Sequence, residues 1–114
     1  MSRFPRARLD SMNDQRNPGR AVRHMLLFVA GGEANSVAAL MNFQRLCADN
    51  RDFDMRCEVI DVLSDYRKAL EHGVLVTPCL LLLEPTPRAM IVGTLKDVHR
   101  VRAALRLPAV EDVQ

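Results

Sequence analysis

A chain of 114 residues, 48 % of them apolar, is long enough to bury one core and too short for two sizeable domains. No apolar run approaches the roughly 20 residues that span a membrane, and the N-terminus lacks the apolar core of a signal peptide, so a cytoplasmic protein is expected. The formal net charge of +2 is uneven: six arginines against two aspartates through residue 23 make +4, which leaves −2 for the remainder and assigns the basic character to an N-terminal arm.

Residues 1–22, with Pro5, Asn17-Pro18-Gly19 and scattered charge, read as a disordered Arg-rich arm, either a solvated extension or a contact for nucleic acid. A domain is expected over residues 23–108 and a frayed tail over 109–114. Met25 to Ala30 is a continuous apolar run stopped by Gly31-Gly32, which suits a strand buried on both faces. Asn35 or Ser36 is an N-cap candidate for a helix to about Ala48, whose apolar positions include Val37, Leu40, Phe43 and Leu46. From Phe53 to Val62, Met55, Cys57 and Val59 alternate with charged residues in strand periodicity. Strand, helix and strand with a crossover of this length predict a right-handed parallel unit.

Ser64 is the expected cap of a short helix from Asp65 to His72, with Tyr66, Ala69 and Leu70 as its apolar side and Gly73 as its stop. An apolar run then crosses Thr77-Pro78. Proline has no amide hydrogen to give a ladder, so a turn is predicted there and a buried strand from Cys79 to Leu83. Thioredoxin-like folds carry a cis proline in this position; a trans proline at a strand entrance is the other reading, and both stay open. Glu84-Pro85-Thr86-Pro87 is a turn into an antiparallel strand, Arg88 to Val92, closed by Gly93. Thr94 with Asp97 suggests a capping box for a last helix presenting Leu95, Val98, Val101 and Leu105, ended by Pro108. The order β-α-β-α-β-β-α is the minimal thioredoxin-like arrangement, an α/β fold with a four-stranded mixed sheet and helices on both faces.

Catalytic chemistry is thin. A thioredoxin-like enzyme places its thiol between the first strand and first helix, where the helix N-terminus lowers its pKa. This chain has Gly31-Gly32-Glu33-Ala34-Asn35-Ser36 there, without a cysteine. The three cysteines, Cys47, Cys57 and Cys79, form no CxxC pair and no zinc-spaced cluster, and each reads as a small core residue. A thiol or glutathione-linked enzyme would have to use Cys79, or Ser36, for which capping is the stronger explanation. Asp61, at the carboxyl end of the second strand, is read as a capping or surface residue. No cofactor and no metal set is expected.

The segments Leu27 to Gly31, Asn35-Ser36-Val37 with Ala39-Leu40, Val59 to Leu63, Leu75 to Leu80, and Pro87-Arg88 with Ile91, Gly93 and Leu95 resemble, in order and spacing, the KaiB family of bacterial circadian clock proteins. The resemblance runs from about Val22 to Leu107. It implies a non-enzymatic protein that binds a hexameric ring of KaiC, a RecA-like ATPase, and there engages KaiA or displaces a histidine kinase. It also implies a homo-dimer or tetramer at rest, with an alternative tetrameric fold. Pro85, Pro87 and Gly93 are the switch-segment candidates that follow from it. Ala30, Gly31, Tyr66, Arg67 and Lys68 are the candidate partner contacts, and Thr77 and Pro78 the turn that frames them. The chain departs from the family in Thr94, where Asp is usual, in its shorter proline run, in the purely apolar Leu81-Leu82-Leu83 and in its long arm. These departures point to a divergent paralogue.

Overall fold

The computed structural model describes residues 22–108. The arm before Val22 and the tail from Ala109 lie outside the described residues. The elements are β1 (Arg23–Val29), α1 (Ala34–Asp49), β2 (Met55–Asp61), α2 (Tyr66–Glu71), β3 (Cys79–Glu84), β4 (Ala89–Val92) and α3 (Val98–Ala104). They form one four-stranded sheet in the order β2-β1-β3-β4. β1 and β2 are parallel, while β3 is antiparallel to both β1 and β4.

Strand alternation sends side chains to two cores. Met25, Leu27 and Val29 of β1 join Leu80, Leu82 and Ile91 beneath α1 and α3, which contribute Ala39, Phe43, Leu46, Val101 and Leu105. Leu26 and Phe28 point the other way, with Ile60, Cys79 and Leu81, beneath α2, which contributes Ala69. Helices thus cover both faces, two on one side and a single short one on the other. The expected double burial of β1 is met: Leu27 and Phe28 are fully buried.

Several local expectations are corrected. Glu33, not Asn35 or Ser36, caps α1: its carboxylate accepts the Ser36 amide at 3.1 Å. Ser36 is buried within the first turn, and its hydroxyl accepts the Ala30 amide at 2.9 Å. Asp65, one residue beyond the expected Ser64, caps α2, and Asp97 rather than Thr94 caps α3. Leu95 is therefore not helical; it takes φ +66 and buries its side chain ahead of the helix. Val59 shares the α1 face of the edge strand β2 yet stays exposed, while Met55 and Cys57 on the same face pack against the core.

The C-terminal helix is tied to the sheet through arginines. Arg23 is buried, and its guanidinium donates from Nε to the Leu105 carbonyl and from Nη2 to the Arg106 carbonyl, both at 2.8 Å. It also lies over the Phe53 ring, 5.3 Å from the centroid. The last carbonyls of a helix lack partners within it, so Arg23 serves as a C-cap supplied from another strand. Arg106, in turn, takes φ +58, a backbone conformation that costs a non-glycine residue about 1–2 kcal/mol. That conformation carries its side chain to the β3–β4 turn, where Nη2 donates to the carbonyls of Pro85 and Pro87. At the other end of α1, Asn50 donates to the Leu46 carbonyl at 2.7 Å and accepts from Arg102 at 3.0 Å.

Arg23→Ala is expected to leave two carbonyls without donors and to lower stability by about 2–3 kcal/mol. The urea midpoint should fall with the slope unchanged. An unchanged midpoint would mean that α3 docks by its apolar face alone.

Candidate interaction surface at the carboxyl end of the parallel strands

Strand directions decide which loops meet. β1 and β2 end at Val29 and Asp61, β3 begins at Cys79, and β4 ends at Val92, all at one edge of the sheet. The loops after β1, after β2, before β3 and after β4 are gathered there. This is the end of an α/β sheet where sites are usually built.

Asp61 organises it. One carboxylate oxygen, Oδ1, accepts the amides of Gly31 and Leu63, each at 3.0 Å. The Val62 amide donates to the Val29 carbonyl at 2.8 Å, which extends the parallel pairing one step past the strand ends. The capping role read for Asp61 is what the structure shows. Gly31 sits at φ +53, and a Cβ placed on it would lie 3.0 Å from Leu63 Cδ1. The Thr77–Pro78 bond is cis; Pro78 is buried and its carbonyl accepts the Gly93 amide at 2.9 Å.

α2 is only six residues long and buries a single side chain, Ala69. Val74 closes the loop behind it, buried, with its amide on the Ala69 carbonyl at 2.8 Å. Tyr66 and Leu70, one turn apart, are 61 % and 62 % exposed, which corrects the expectation that they pack inward. Leu63 is 73 % exposed, Leu75 86 % and Val76 52 %. Five large apolar side chains therefore stand in solvent at or beside α2. Their polar surroundings include Arg67, exposed, and Lys68, whose ammonium lies 4.0 Å from Glu58.

Of the candidate residues, Ala30 and Gly31 lie half-buried in the β1–α1 loop, Gly31 against Leu63, three residues before α2 opens with Tyr66, Arg67 and Lys68. Thr77, Pro78 and Gly93 lie at the same end of the sheet. Pro85 and Pro87 do not: each follows a cis bond in the β3–β4 turn at the opposite end, held by Arg106. Leu63, Leu75 and Val76 are additions that the sequence reading missed. They stand inside apolar runs that resemble strand, yet they fall in the loops on either side of α2 and are exposed there.

The cysteines give little to thiol chemistry. Burial pushes Cys47 and Cys79 above their ordinary value, and Cys79 is fully enclosed. Burial first, and the neighbouring Cys47 second, push Cys57 up to about 12. A reactive thiol needs the opposite shift.

A family model for the KaiB domain matches residues 26–107. The chain belongs to the KaiB family. The circadian clock oscillator protein KaiB of a Nostoc species is 35 % identical over 91 residues, spanning 80 % of this chain and 84 % of the relative. The circadian clock protein KaiB3 of a Synechocystis species is 30 % identical over 79 residues, 69 % of this chain and 78 % of that one. Among solved structures, mitochondrial thioredoxin 3 of Saccharomyces cerevisiae superposes with a TM-score of 0.62 at 16 % identity, covering 83 % of this chain and 88 % of its own. The thioredoxin of Trichomonas vaginalis gives 0.56 at 19 % identity, over 84 % and 87 %. This likeness shows the fold: the KaiB family member has a thioredoxin-like sheet with no cysteine at the β1–α1 loop.

Two outcomes are expected. Gly31→Ala should cost about 1–2 kcal/mol through its left-handed backbone; the contact itself is with the free end of an exposed leucine, which can turn aside. A loss much below that would mean that the loop relaxes. The thiols also set a pH dependence. Their folded pKa values lie above the ordinary 9.0. The neutral form is thus favoured in the folded state, and this contribution is complete below about pH 9 and lost as pH rises from there toward 12. Stability followed by urea titration should decline over that window, and less steeply in Cys57→Ser.

Proposed function

We propose that this KaiB family member is a non-enzymatic regulatory protein that docks on a KaiC-type RecA-like ATPase ring and modulates its signalling output, with a KaiA-like protein or a histidine kinase as further partners. The observation that carries this reading is the exposed apolar set around α2. Leu63, Tyr66, Leu70, Leu75 and Val76 project from one end of the sheet where loop geometry is fixed by Asp61 and by the Pro78 carbonyl. Large exposed apolar side chains with charged neighbours mark protein interaction sites, and an aromatic with a neighbouring arginine is the composition of a binding hot spot. Arg67 and Lys68 supply the charge, and Ala30 and Gly31 adjoin the set where Gly31 meets Leu63. Family membership supports the clock-type partner; the raised thiol pKa values weigh against an enzyme built on Cys79.

The test is size-exclusion chromatography with light scattering, on the protein alone and with the KaiC-type ATPase of the source organism plus ATP. A nucleotide-dependent shift into the ring peak is expected. Tyr66→Ala combined with Leu70→Ala should weaken the complex at least tenfold, about 1.4 kcal/mol, while leaving fold stability within about 0.5 kcal/mol, because both side chains are exposed. Absence of a complex at tens of micromolar overturns the reading. An unweakened complex with the double variant moves the contact elsewhere on the molecule.

A further inference from the structure

The face of the sheet away from α2 holds a second feature, independent of the surface just described. Between α1 and the segment that leads into α3 lies a groove with a cavity of about 90 Å³. Phe43, Leu46, Leu95 and Val101, all buried, make its floor. Arg45, Asp49 and Lys96, all exposed, stand at its rim. A closed apolar cavity of about 150 Å³ holds benzene, so this one has the size for a single branched aliphatic group.

The backbone is bent to build it. Leu95 takes φ +66, a conformation that bulky side chains disfavour and that marks functional sites when the surroundings enforce it. Here the Asn42 side chain enforces it, donating to the Thr94 carbonyl at 2.8 Å. The result places the Leu95 side chain in the floor and leaves the next residue, Lys96, at the rim.

The charges at the rim are unspent. Neither Arg45 nor Lys96 has a carboxylate within ion-pair distance among the described residues. Asp97, beside Lys96, is occupied in capping α3, where it accepts the Arg100 amide at 3.2 Å. Asp49 is the one acidic residue lining the groove, so the rim carries one excess positive charge. At the mouth of the groove Val98, part of its lining, is itself exposed, and past the lining Met41, one turn before Arg45, is exposed as well.

We propose that this groove seats an acidic amphipathic segment of a partner protein. An aliphatic side chain of leucine size enters the cavity, neighbouring carboxylates meet Arg45 and Lys96, and a second apolar side chain lies on Val98. The geometry favours a peptide over an isolated small acid because the apolar surface extends past a cavity that one side chain fills.

The test uses the full chain labelled with ¹⁵N and an acetylated, amidated hexapeptide of two leucines flanked on each side by two aspartates. Saturable amide shifts are expected at Asn42, Leu46, Leu95 and Lys96. The same peptide with asparagines in place of the aspartates should bind at least tenfold more weakly. Arg45→Glu with Lys96→Glu should weaken the acidic peptide at least tenfold, and Asp49→Asn should tighten it, a change that a misfolded protein cannot mimic; preserved spectral dispersion checks the fold of each variant. The proposal is overturned if the asparagine peptide binds as well, if shifts fall outside the groove, or if none occurs at millimolar peptide. Shifts of the same amides on raising the protein concentration alone would name a second copy of this chain as the occupant and overturn it equally.

Discussion

The reversal of direction between β1 and β3 is the constraint on which the rest depends. Because β1 runs parallel to β2 and antiparallel to β3, the ends of two strands and the start of a third share one edge of the sheet. A carboxylate at the end of β2 can then reach back to the loop after β1, and the entry to β3 can meet the exit of β4. Both are contacts between segments far apart in the chain. They fix the loops that carry the candidate interaction surface through backbone amides, those of Gly31 and Leu63 included, so the surface's apolar side chains are not spent on holding it together.

Coverage of the two faces explains where those side chains end up. α1 spans sixteen residues and shares its face with α3, which together enclose the larger core. α2 spans six residues and covers only the middle of the opposite face. A helix this short has too few positions to bury both an inner and an outer apolar stripe. Ala69 packs inward, and Tyr66 and Leu70 are left outside. On the same sheet face Met90 and Val92 of the edge strand β4 are also exposed, 45 % and 48 %. Uncovered apolar residues on an edge strand are the kind of surface that natural sheets usually guard against edge-to-edge pairing.

The fold was largely legible because period and punctuation agree along the chain. The run Met25 to Ala30 ended by two glycines, the helical spacing through Phe43 and Leu46, and the proline before Cys79 each state one element, and their order states the sheet. Helix starts were less legible. Glu33, Asp65 and Asp97 displaced Ser36, Ser64 and Thr94 as caps because in each case an acidic side chain accepts the amide three residues on, and the sequence offers both choices within three residues of each other. Ser36 shows why: its hydroxyl was drawn to the Ala30 amide by the close turn after β1, a demand that a linear pattern does not display.

What the sequence determined by itself was the alternation of strand and helix, the absence of a cysteine before the first helix, and the membership that these segments imply, since each depends on residue type and spacing alone. Tertiary structure decided the rest. It turned Tyr66 and Leu70 from the expected apolar side of a helix into exposed surface, and left Leu63, Leu75 and Val76 exposed beside them, because burial depends on what lies opposite a side chain. It made Arg23 a buried cap for helix-end carbonyls more than eighty residues away, and it bent Leu95 into a groove floor through Asn42. Contacts of that range are set by how the sheet folds back on itself, and no local pattern records them.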